Sequence, residues 1–217
     1  MQKTQNLTQQ SVMALFGALE TSYDIYGGVV RIEDRERQVF ITTETIYGLY
    51  KSLLDEAADA WKIVLKTCGY MWGKRLIQRL DKNLDAQQEH GLAVLEVESF
   101  IDLIQNYFAY HGWGRLTINL DHAESAGIIV LDLRDSIVTQ ALPDTAGPVD
   151  FLISGMLRAI FEFIARRELD CIQITCNRKK TTSQCEFLVS APQRIATLGS
   201  VAGEGSLDDA IQKLRAA

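Results

Sequence analysis

The chain has 217 residues, 47% of them hydrophobic and 23% charged, and a formal net charge of -6. That balance suits a globular protein with a sizeable core and argues against nucleic acid as a partner, because the one dense basic run is Arg178-Lys179-Lys180 in an expected turn. No apolar h-region marks a secretion signal and no apolar run reaches the ~18 residues of a membrane span, so the expectation is a cytoplasmic protein without a transmembrane segment.

Residues 1–10 are polar and Gln/Thr-rich and read as disordered; Val12, Leu15, Phe16 and Leu19 then recur at helical spacing within 11–20. A hairpin follows, pairing 29–32 with 39–41 across a charged turn, to close an N-terminal unit at residue 42. Thr43 with Glu44 behind it marks a helix start. A longer helix is expected over about 55–80, with a stripe through Ala57, Ala60, Trp61, Val64, Leu65, Cys68, Met71, Trp72 and Leu76. Gly69 and Gly73 lie beside that stripe, four apart, where a second backbone or a flat ligand can come close.

Residues 96–112 predict another amphipathic helix closed by Gly112. Strict alternation over 113–120 predicts a strand, with a partner over 127–136. Pro148 opens a helix that is apolar nearly all round, and two strands near 171–176 and 185–190 complete the core. Ser206 caps a terminal helix in the tail, which runs over 192–217. The order of elements predicts an α+β fold, an antiparallel sheet of about four strands with helices on one face.

Three of the four cysteines fall between 170 and 187. Strict alternation puts Ile172, Ile174 and Cys176 on one strand face and Cys171, Gln173 and Thr175 on the other, with Cys185 on the apolar face of the next strand. Cys176 and Cys185 therefore flank the hairpin loop and lean towards the core. Reduced core thiols, two ligands of a metal site and a disulfide are all compatible with that placement, though a cytoplasmic compartment disfavours a constitutive disulfide.

The run from Gly147 to Phe187 resembles the C-terminal signature of the 4-vinyl reductase-like domain: Pro148-Val149, a central Gly155, Asp170-Cys171, Cys176 and Cys185-Glu186-Phe187. The strand ending in Asp135-Ser136 also resembles the family's, and the likeness is good over about 113–191 and weaker back to Thr43. It places the domain at 43–191 and resembles most a stand-alone cyanobacterial form associated with photosystem II assembly. The resemblance implies a fold shared with the vesicle-tethering TRAPP subunits, a homodimer, and a hydrophobic cavity between helices and sheet for phenolic, acyl or tetrapyrrole ligands.

The residues placed at that cavity are Cys68, Met71, Trp72 and Gly73 on the long helix, Trp113 on a strand, and Phe151, Gly155 and Met156 on the buried helix. Relatives that bind aromatic effectors hold zinc with cysteines near the pocket. The matching positions here are Cys176 and Cys185, with Asp150 where a cysteine usually stands and Asp135 as an acidic ligand one residue out of place.

The implied function is non-catalytic binding of a small hydrophobic, fatty acyl or tetrapyrrole ligand in photosystem assembly or pigment handling, in the cytoplasm or at the thylakoid surface. The alternatives are a dimeric scaffold acting through protein surfaces, with photosystem assembly proteins as partners, and a zinc-containing small-molecule sensor. Catalysis is not expected. No dinucleotide fingerprint is present, and His90, His111 and His122, with Asp121 and Glu124, lack an accompanying nucleophile.

Overall fold

A computed structural model describes residues 21–32, 36–88, 91–145, 147–178, 183–199 and 206–216; the expected disordered start, the helix over 11–20, His90 and the Lys179-Lys180 pair lie outside the described residues. The chain enters a three-stranded antiparallel sheet in the order β1 (Thr21–Asp24), β2 (Val29–Ile32), β3 (Glu36–Gln38). The first turn is held by Gly27 N–H donating to Asp24 Oδ1, with Gly28 at φ +63. The return strand pairs Ile32 with Glu36 and Val30 with Gln38, so it comes earlier than expected and leaves Val39, Phe40 and Ile41 exposed beyond it.

Helix α1 (Thr43–Ala57) starts where expected, capped by Thr42, whose hydroxyl accepts from Thr45 N–H. Ala58 at φ +43 then breaks the chain, and α2 (Ala60–Gln88) runs for 29 residues, well past the expected end. Its buried stripe is Trp61, Leu65, Gly69, Gly73, Leu76, Ile77, Leu80 and Leu84. Val64, Cys68 and Met71 face solvent instead, Met71 at 60% exposure. Trp61, Leu65 and Leu76 are buried as expected, and the rest of the expected stripe was displaced because the small residues Gly69 and Gly73 mark the contact side.

Helix α3 (Val97–Tyr110) ends in a Schellman motif: Trp113 N–H reaches Phe108 O and Gly112 N–H reaches Ala109 O, with Gly112 at φ +72. Strand β4 (Arg115–Asn119) buries Leu116 and Ile118, as alternation predicts. The short α4 (Ala123–Ala126) leads to β5 (Ile129–Arg134). One turn of helix, α5 (Ile137–Ala141), follows, capped by Ser136 Oγ accepting from Val138 N–H. Helix α6 (Phe151–Ala165) begins three residues after Pro148, and β6 (Asp170–Arg178) and β7 (Ser183–Ser190) form the closing hairpin. The four strands lie in the order β4-β5-β7-β6, every neighbour antiparallel.

Both faces of this sheet are covered, where the sequence predicted one. The main core packs α2, α3 and α6 against Leu131, Leu133, Cys185, Phe187 and Val189. On the reverse face Ile128, Ile174 and Leu188 meet Ile195, Leu198, Ile211 and Leu214 from α7 (Pro192–Ala196), the turn after it and α8 (Leu207–Ala216). Arg194 donates to the carbonyls of Ala126 and Leu214, tying that second layer to the sheet end, and Ser206 caps α8 as expected.

Candidate functional site

The register of the closing hairpin places the sulfurs. Cys171 pairs with Val189, Gln173 with Phe187, Thr175 with Glu186 and Cys176 with Cys185, so a β-bulge at Ile174 breaks the alternation. Without it, Cys176 would share the reverse face with Ile172 and Ile174. With it, Cys171, Gln173 and Cys176 all face the helices. Cys171 is thus a fully buried core thiol, contrary to the polar face expected for it, and burial pushes its pKa well up.

Cys176 Sγ and Cys185 Sγ lie 2.9 Å apart with no disulfide between them, and an Asp150 carboxylate oxygen joins them within a 4.8 Å cluster. Asp150 occupies the N-cap position of α6, but its carboxylate turns inward instead of capping the helix. Oδ1 accepts from Ser136 Oγ at 2.6 Å and Oδ2 from Gln173 Nε2 at 3.2 Å. Gln173 in turn accepts the backbone N–H groups of Val149 and Asp150 on its Oε1, each at 3.0 Å. The Cys176 contact, then burial, then the Asp150 charge hold the Cys185 thiol protonated.

Structural zinc takes four donors in a tetrahedron. Here two sulfurs and one carboxylate converge within 4.8 Å, three of the four expected donors and one short of a closed structural site. Asp135 is the correction to the four-ligand expectation: it sits at φ +55, exposed, with its carboxylate on Ser183 N–H rather than in the cluster. Gln173 cannot replace it, since its amide oxygen is engaged by two backbone donors. The two sulfurs also sit closer than the about 3.8 Å that a tetrahedral ion with 2.3 Å bonds would impose.

The expected cavity residues separate. Gly73 and Gly155 sit in the α2–α6 contact, where an added Cβ at Gly155 would lie 1.9 Å from Lys66 O, and Met156 is fully buried core. The α2–α6 seam itself is closed, and the space between the buried helix and the hairpin is the smaller pocket at the start of α6. Cys68 and Met71 are on the outside. Phe151 lines a pocket of about 340 Å3 with Trp61, Ser154, Cys171 and Gln173, at the start of α6.

Trp72 and Trp113 instead meet each other, ring centroids 4.8 Å apart, in the wall of a cavity of about 650 Å3. Tyr107, Tyr110, His111 and Arg79 complete the helical side, and Tyr23, Val30 and the stretch 38–41 form the other. The Schellman turn swings Trp113 into this wall, and stacking on Tyr107 at 4.0 Å holds the His111 ring. Trp72 and Trp113 are expected cavity residues, whereas Arg79, Tyr107, Tyr110 and the sheet wall were missed by the sequence reading, although the aromatic density of 107–113 was visible next to a helix-closing glycine.

His111 Nδ1 faces Tyr107 O at 3.0 Å, and burial, reinforced by the Arg79 charge, lowers its pKa from the usual 6.5. The unfolded chain therefore binds the proton more readily. The stability this contributes is complete above pH 6.5 and is lost as pH falls from there through the folded-state pKa. Denaturant unfolding between pH 5 and 8 should give a rising slope that His111→Gln flattens; identical slopes would refute it. His122 approaches Arg215 Nη2 at 3.0 Å while Asp121 bonds Asn119, so that loop assembles no acid-base pair.

The α+β fold, antiparallel sheets packed against helices, is shared with a solved structure. The phenol-responsive sensory domain of the transcription activator PoxR, with phenol, superposes with TM-score 0.58 at 15% identity, over 90% of this chain and 98% of that one. A second solved structure, described as modulating haem redox potential through protein-induced porphyrin distortion, reaches TM-score 0.41 at 10% identity over 72% of this chain and 81% of that one, too distant to carry an argument. No protein-family model matches the chain, and no curated protein matches it. Among the described residues no helix is long and apolar enough to cross a membrane.

Proposed function

We propose that this protein is a non-catalytic binding domain whose ligand is a planar hydrophobic molecule of the tetrapyrrole class, seated between the N-terminal sheet and helices α2 and α3. The observation that carries the reading is the 650 Å3 cavity with its paired indoles and a cationic Arg79. The volume falls within the range of small-molecule sites, the walls are mostly aromatic and aliphatic, and few polar groups converge on it. Indole faces stack on an extended π-system, and a guanidinium suits the carboxylates that such pigments carry.

The resemblance to the 4-vinyl reductase-like family and the shared fold with a phenol-responsive domain support a binding role; the family resemblance also supports a place in pigment handling or photosystem assembly. Absorbance titration with a bilin and with protochlorophyllide is the test. A band shift and quenching of tryptophan emission at micromolar pigment are expected. Arg79→Ala should weaken binding about tenfold, as the loss of one charge-assisted contact does. No spectral change at micromolar pigment would end the reading.

A further inference from the structure

Outside the cavity, the most pointed chemistry in the molecule is the thiol pair on the closing hairpin. We infer that Cys176 and Cys185 are a site of reversible intrachain disulfide formation. The inference is independent of the ligand reading, since neither cysteine lines the 650 Å3 cavity.

Three features carry it. The residues are directly opposed across β6 and β7, and opposed residues of an antiparallel pair have Cα atoms about 4.5 to 5.5 Å apart, inside the span a disulfide bridges. Their sulfurs are 2.9 Å apart, so about 0.9 Å of side-chain movement closes the bond. The bulge at Ile174 is what makes Cys176, rather than Thr175, the residue opposite Cys185.

Access differs between the two. Cys176 is half-buried on β6, an edge strand, whereas Cys185 is buried on the interior strand β7. Cys176 is therefore the sulfur an incoming small disulfide reaches. Its thiolate attacks one sulfur of oxidised glutathione, the S–S bond of glutathione breaks, and one glutathione leaves as a thiol. Cys185 then attacks Cys176 Sγ and expels the second glutathione, leaving the protein oxidised by two electrons and the two protons on the two released thiols. The product is neutral, so it sits beside the buried Asp150 carboxylate without adding a charge there.

The test uses the full wild-type chain, equilibrated in glutathione buffers from fully reduced to fully oxidised, acid-quenched, alkylated under denaturing conditions and weighed intact. Two of the four thiols are expected to disappear together in a single transition, in monomeric chains, with a peptide joining Cys176 to Cys185. Dithiothreitol should restore both. Cys68→Ser, at the exposed thiol, should leave the transition unchanged, and Cys176→Ser should abolish it while the far-ultraviolet circular dichroism stays that of the wild type. Four alkylatable thiols in fully oxidised glutathione would overturn the inference. So would a mixed disulfide that persists on Cys176, or a stoichiometric metal whose removal by chelator is what exposes both thiols.

Discussion

Gly155→Ala is expected to destabilise the protein by about 3 kcal/mol or more, although alanine is the better helix former by about 1 kcal/mol. Helices α2 and α6 touch backbone to backbone through three glycines. A Cβ on Gly69 would lie 1.9 Å from Leu152 O, one on Gly73 2.6 Å from Met156 O, and one on Gly155 1.9 Å from Lys66 O and 2.7 Å from Tyr70 N. Those neighbours are main-chain atoms of two long helices, which cannot give way as a flexible side chain would. The helices must separate, and separation loosens Ile153, Met156 and Leu157, all fully buried along the same seam. Gly48, on the exposed face of α1 with nothing within 4 Å of its virtual Cβ, is the control: its alanine variant should gain up to about 1 kcal/mol. Urea unfolding of the two variants checks the pair. A loss at Gly155 no larger than that from an ordinary surface change would show that the seam tolerates a methyl group.

The seam also explains what the sequence made legible. Alternation over 113–120 and the caps at Gly112 and Ser206 are local chemistry, and they stand as read. Trp61, Leu65 and Leu76 on α2 stand as read, but the stripe was drawn through Met71 and Val64 because hydropathy weights them above Gly69 and Gly73, while close helix packing selects for the missing side chain. Cys171 was put on the wrong side for a related reason: a period of two cannot anticipate one inserted residue, and Ile174 is apolar enough to sit on either face. The sulfur pair was legible nonetheless, since its two members flank a turn. The cavity was legible only at Trp72 and Trp113, because its other wall is a sheet far away in sequence, and pairing between distant segments leaves no local periodicity.

Asp150→Ala should cost about 3 kcal/mol and should do so chiefly through the groups it leaves behind. Asp150, Ser136 and Gln173 are each almost wholly removed from water. Without the carboxylate, the Ser136 hydroxyl loses its 2.6 Å acceptor and Gln173 Nε2 keeps only the 3.4 Å contact to Thr175 O. Each buried donor stripped of its partner costs about 1 to 3 kcal/mol, and relief from burying the carboxylate offsets part of that sum. The loss propagates because Ser136 caps α5 and Gln173 holds the Val149 and Asp150 amides at the head of α6. Asp150→Asn retains one acceptor oxygen of nearly the same shape and should lose markedly less, about half. Equal losses for the two variants would mean that the negative charge, rather than hydrogen-bond acceptance, organises this corner. A negligible loss for Asp150→Ala would mean that the serine and the glutamine find other partners, and that the joint between the buried helix and the closing hairpin is held by packing alone.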